Sequence, residues 1–125
     1  MARILIVDDD ESDLLLLKTI LEAGEHELYV ARNGEQALKA YLRNPIDVVV
    51  TDIQMPRGDG IELISALKGL DPDVAIIAVS GQKPHKLGIA QMAGAAAILS
   101  KPLIPALLLD AVAKASARHE DERPE

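Results

Sequence analysis

The stretch Asp47-Val48-Val49-Val50-Thr51-Asp52, followed by Ile53-Gln54-Met55-Pro56, decides the fold. A run of valines without polar alternation reads as a strand buried on both faces. It ends on a carboxylate, and Asn44-Pro45 before it closes a helical segment. Four other short runs rich in Val and Ile read the same way: Ile4–Val7, Leu28–Ala31, Val74–Val79 and Ala96–Leu99.

Helical segments lie between the runs. The first spans Glu11 to Ala23, with Leu14, Leu17 and Leu21 on one face and Gly24 as its stop. The second opens at Asn33, which with Gln36 reads as a capping box, and its apolar face is Ala37, Leu38, Tyr41 and Leu42. The others span Gly60 to Leu70, Pro84 to Ala93 and Leu103 to Arg118. Five strand–helix units in a row imply a parallel sheet with right-handed crossovers and helices on both faces. The expected fold is therefore α/β, a doubly wound five-stranded parallel sheet of order 2-1-3-4-5, flavodoxin-like (βα)5. Strands 1 and 3 are then neighbours where the winding reverses, and ligands bind beyond the C-terminal strand ends there. Residues 1–118 form the domain, and the charged residues 119–125 are expected as a disordered tail.

Composition narrows the function. At 125 residues the chain suits one domain. Such a domain buries roughly two-thirds of the surface its unfolded chain exposes. Without Phe or Trp, aliphatic side chains must fill the core. The net charge of −7 argues against nucleic acid and against anionic membranes as partners. The absence of cysteine excludes disulfides, thiolate metal sites and Cys nucleophiles. No apolar run approaches the roughly 18–20 residues of a membrane span, and Met1-Ala2-Arg3 has no signal-peptide pattern, so a cytoplasmic location is expected. His26, His85 and His119 lack ligand spacing and read as surface residues; Arg57-Gly58-Asp59 reads as a coincidental tripeptide.

The chemistry gathers at the strand ends. Asp8-Asp9-Asp10 follow strand 1, Thr51-Asp52 end strand 3, Ser80-Gly81 end strand 4 and Ser100-Lys101-Pro102 end strand 5. Taken singly, each is more often a cap, a turn or a solvated loop. Together Asp8, Asp9 and Asp52 bring three carboxylates close, which raises their pKa values or calls for a cation. Hard oxygen ligands around a partly open site suit Mg2+. Lys101 adds a positive charge and Ser80 a hydroxyl donor, so Asp52 is a candidate acceptor in phosphoryl transfer.

In that order the motifs Ile4-Leu-Ile-Val-Asp-Asp9, Asp47-Val-Val-Val-Thr-Asp-Ile-Gln-Met-Pro56 with Gly60, Val79-Ser-Gly81, Gly94-Ala95 and Ser100-Lys-Pro102 resemble the receiver domain of two-component response regulators, the CheY-like superfamily. The resemblance covers Arg3 to Arg118. It implies a signal-transduction switch, not a turnover enzyme, with Asp52 as phosphoacceptor and Ser80 and Lys101 on the phosphoryl oxygens. It implies Mg2+ held by Asp8, Asp9, Asp52 and the Gln54 carbonyl, and a cis Lys101-Pro102 bond. The implied partners are a histidine kinase or histidine phosphotransfer protein, with a downstream protein or a second copy on the helix 4–strand 5–helix 5 face, where Leu107 and Ile104 cannot both point inward with Leu108, Val112 and Ala115.

Two departures stand out. Ile98 occupies a position that is often aromatic in the family, and Gly81 one that is often Ala, which leaves an acyl phosphate more open to water. Gln54 and Gln82 sit where the family tunes the lifetime of that phosphate. The start of the chain close to strand 1 favours an N-terminal receiver of a response regulator. The rival readings are a pseudo-receiver that is never phosphorylated and a metal-dependent phosphohydrolase. The first would normally lack one of the acids or the lysine, all of which are present; the second needs an acid at position 54, where this chain has Gln.

Overall fold

The computed structural model describes residues 2–53, 60–81 and 94–122. The described elements are β1 (Arg3–Val7), α1 (Glu11–Glu22), β2 (Glu27–Ala31), α2 (Gly34–Arg43), β3 (Val48–Asp52), α3 (Gly60–Leu70), β4 (Ala75–Ser80), β5 (Ala97–Ser100) and α4 (Pro105–Glu122). All strand pairs are parallel, in the order β2-β1-β3-β4-β5, as the alternation of apolar runs and helices requires. The helix expected over Pro84–Ala93 lies outside the described residues.

Period-two alternation sorts each central strand onto two cores. Ile4, Ile6, Val48, Val50, Ile77 and Val79 face α1 and α4, where Leu17, Leu21, Leu108 and Val112 meet them. Leu5, Val7, Val49, Ile76 and Ala78 face α2 and α3, against Ala37, Leu63, Ile64 and Leu67. The edge strands are only half covered: Val30 on β2 is exposed, and Ala97, Ile98 and Leu99 on β5 are half-buried. Being apolar did not suffice to bury them, because an edge strand has one neighbour. At the lower rim Asp47 accepts hydrogen bonds from the Arg3 backbone N–H at 2.8 Å and from Arg3 Nε at 3.1 Å and Nη2 at 3.2 Å, which ties the start of β1 to β3.

The helix ends follow local chemistry. Asp10 caps α1, its Oδ1 accepting from the N–H groups of Ser12 and Asp13. Asn33 caps α2 by accepting from Gln36 N–H. The reciprocal bond of the box is shifted by one residue, since the Gln36 side chain accepts from Arg32 N–H. The first helix ends before Gly24, as expected; the left-handed residue beyond it is Glu25 (φ 60°), and Gly24 is small because a Cβ there would lie 2.9 Å from the His26 ring. Three expectations need correction. His26 is not a bare surface residue, because its Nδ1 accepts from Ala2 N–H at 3.0 Å. Leu42 is 67% exposed, since five steps from Ala37 rotate it off the buried face. The last helix starts at Pro105, whose missing N–H suits a first turn, and continues to Glu122, past the expected end at Arg118, because no Gly or Pro interrupts it before Pro124.

Candidate functional site

The sheet order sets β1 beside β3, and β4 on the other side of β3. Their C-terminal ends therefore deliver their side chains to one rim. Asp8 leaves β1, its N–H still bonded to Ala31 O at 3.2 Å and its Oδ1 accepting from Asp10 N–H at 3.0 Å. Asp52 ends β3 in register with Val79. Ser80 ends β4 and is buried. Lys101 is fixed by its own N–H, which donates to Ser80 O at 2.9 Å, and the Lys101-Pro102 bond is cis, as the resemblance implies.

Among the described residues the geometry is that of a carboxylate cluster with one cation. One oxygen from each of Asp8, Asp9 and Asp52 lies within 4.8 Å of the others. Asp8 and Asp52 are 1% and 7% exposed, while Asp9 faces solvent. Lys101 Nζ stands 3.8 Å from Asp52 Oδ2 and 3.7 Å from Asp8 Oδ2. Among the described residues Asp8 Oδ2 is a buried atom without a hydrogen-bond partner. An orphaned oxygen beside two further carboxylates fits a divalent cation with oxygen ligands, so Mg2+ suits this donor set. Gln54, expected to add its carbonyl, lies outside the described residues.

Electrostatics agree. Burial first, then the charges of Asp52 and Asp13, push Asp8 from its ordinary 3.8 up to about 6, against the opposing Asp10 N–H and Lys101. Burial works against the Lys101 charge, but the Asp13 hydrogen bond and the charges of Asp52, Asp8 and Asp13 outweigh it and hold the ammonium above its ordinary range. A pH effect on the metal-free protein follows. Below 3.8 Asp8 is protonated in both folded and unfolded chains. From 3.8 to about 6 the unfolded chain ionises first, so stability falls as pH rises, and the full penalty stands above about 6. Asp8→Asn removes that penalty and should gain on the order of 1–2 kcal/mol at pH 8 but little below pH 4, read from urea melts in chelator. Parallel pH curves for the two proteins would contradict this origin.

The sequence reading missed Asp13. It sits in the first turn of α1, where acids are common for the helix dipole alone. Its Oδ2 lies 2.7 Å from Lys101 Nζ, the shortest ion pair of that ammonium among the described residues. An ion pair between residues 88 positions apart has no local signal.

The family model of the response regulator receiver domain matches residues 4–113. The chain belongs to that family. This receiver is 35% identical over 116 residues to the chemotaxis protein CheY of Thermotoga maritima, covering 91% of this chain and 97% of that protein. It is 29% identical over 116 residues to the sensory/regulatory protein RpfC of Xanthomonas campestris pv. campestris, covering 89% of this chain but spanning only 16% of that relative. The crystal structure of a response regulator receiver domain protein from Clostridium thermocellum superposes with a TM-score of 0.93 at 29% identity, over 98% of this chain and all of that one. The receiver thus belongs to two-component signal transduction. No helix among its described residues is long and apolar enough to cross a membrane.

Proposed function

We propose that this receiver takes a phosphoryl group on Asp52 from the phosphohistidine of a histidine kinase or histidine phosphotransfer protein, and that the phosphorylated and free forms differ in what they bind. The observation that carries the reading is the placing of Asp52, with Lys101 Nζ 3.8 Å away and the oxygens of Asp8 and Asp9 in the same cluster. An Asp52 oxygen forms a bond to phosphorus as the P–N bond of the phosphohistidine breaks, and that electron pair leaves on the imidazole. Mg2+, held by Asp8, Asp9, Asp52 and the Gln54 carbonyl, supplies positive charge that offsets the phosphoryl oxygens. Lys101 donates to one phosphoryl oxygen and the Ser80 hydroxyl to another, contacts that exist only in the phosphorylated form and so shift a two-state equilibrium. With Ile98 at the usual aromatic position, no ring reports the change, and Ser80 and Lys101 carry it. Ile104, the residue before α4, and Leu107 on it, 56% and 53% exposed, leave an apolar strip for a downstream protein or a second copy.

The test is phosphotransfer. A phosphorylated histidine phosphotransfer protein should lose its label to the wild-type receiver and retain it with Asp52→Asn. Transfer to Asp52→Asn at the wild-type rate would place the acceptor elsewhere. The lifetime is open to a separate check. A Cβ at Gly81 would sit 3.3 Å from Lys101 Cδ, so a methyl there crowds the lysine stem and narrows the approach of water. Gly81→Ala should lose its phosphoryl group several-fold more slowly, followed by intact mass over time; equal or faster loss would refute this.

A further inference from the structure

We propose that Asp13 is a positioning residue, the counter-ion that holds Lys101 back from hydrogen-bond contact with Asp52 until a phosphoryl group arrives and so limits its competition with a cation for the carboxylates of Asp8, Asp9 and Asp52. This rests on the reading of the site as a cation-assisted phosphoacceptor and adds its regulation. Among the described residues Lys101 Nζ has three acids within reach, and only one of these contacts is of hydrogen-bond length: Asp13 Oδ2 at 2.7 Å, against 3.7 Å to Asp8 and 3.8 Å to Asp52. Asp13 is itself held, because its N–H donates to the capping Asp10 Oδ1. The lysine backbone is anchored by its N–H to Ser80 O at 2.9 Å, so only the stem can carry the ammonium from one acid to another. The stem has room on one side, where Gly81 presents no Cβ.

The consequence is a competition. Without Asp13, the nearest acceptors for Lys101 among the described ion pairs are Asp8 Oδ2, which lacks a hydrogen-bond partner among the described residues, and Asp52 Oδ2. An ammonium seated there opposes a divalent cation on the same oxygens. With Asp13 present, the lysine stays beyond hydrogen-bond length from those two oxygens and moves to the phosphoryl oxygen only when the added negative charge outbids Asp13.

A double-mutant cycle on Mg2+ affinity tests this, read from amide shifts in NMR titrations of the whole chain with MgCl2. Asp13→Asn keeps the shape and removes the charge, and should weaken Mg2+ roughly fivefold when Lys101 is present but less than about twofold in Lys101→Met, because the effect acts through the lysine. An equal loss in both backgrounds would make Asp13 merely another anion near the cation and would overturn the proposal, as would no change in either. Thermal melts establish that each variant is folded, and Lys101→Gln replaces Lys101→Met should the latter not fold. A wild-type chain that binds no Mg2+ would instead defeat the cation-assisted reading of the site, and the proposal with it.

Discussion

Gly60→Ala should destabilise the domain by roughly 3 kcal/mol or more, a large value for a single methyl group. Gly60 opens α3, and its N–H donates to the O of Ile53, the residue after β3, at 2.8 Å. A Cβ at this position would overlap the Asp52 carbonyl oxygen and lie 2.7 Å from Ile53 Cα. Both neighbours are backbone, so no side chain can swing aside. Ile53 N–H is also bonded to Val79 O at 3.0 Å, which ties the crowded segment to the sheet. Relief must come from moving the segment that carries Asp52. Urea melts should show the loss of stability, and a phosphorylation assay should show a lower adduct yield even where the variant folds. A variant within about 0.5 kcal/mol of wild type would mean that Gly60 does not lie against Asp52 and Ile53 as described.

Lys101→Met should slow phosphorylation of Asp52 by on the order of a hundredfold, the usual cost of removing one fixed donor to a developing charge. Lys101 is the cation nearest Asp52 among the described ion pairs, and desolvation of the site makes its charge count for more than it would in water. The side chain is not part of either apolar core, so the fold should persist in Mg2+. The rate of adduct formation with a small acyl phosphate measures the effect, and a rate within a factor of about two of wild type would remove Lys101 from the reaction.

Much of this was legible in the sequence, for definite reasons. Val48, Val49 and Val50 could be read as a central strand because burial on both faces leaves no polar alternation. Asp8, Asp52, Ser80 and Lys101 could be read as one site because each follows an apolar run, and a parallel sheet brings such ends to one rim. What escaped depends on three-dimensional distance. Asp13 resembles any acid in a first helical turn until Lys101 is placed beside it. Gly24 could be read as the stop of the first helix, but not that Glu25 takes the left-handed conformation while Gly24 makes room for His26. Leu42 fits an apolar helix face by type, but the angle it makes with Ala37 points it to solvent. Residue type sets the elements and their order; close approach between distant segments sets the rest.

The central claim is that Asp52 is the phosphoacceptor, and intact mass after incubation with Mg2+ and a small acyl phosphate tests it most directly. The account predicts a single phosphoryl adduct on the wild-type chain, absent in Asp52→Ala and absent when Mg2+ is chelated. A wild-type chain that stays unmodified, or an adduct that survives in Asp52→Ala, would contradict it.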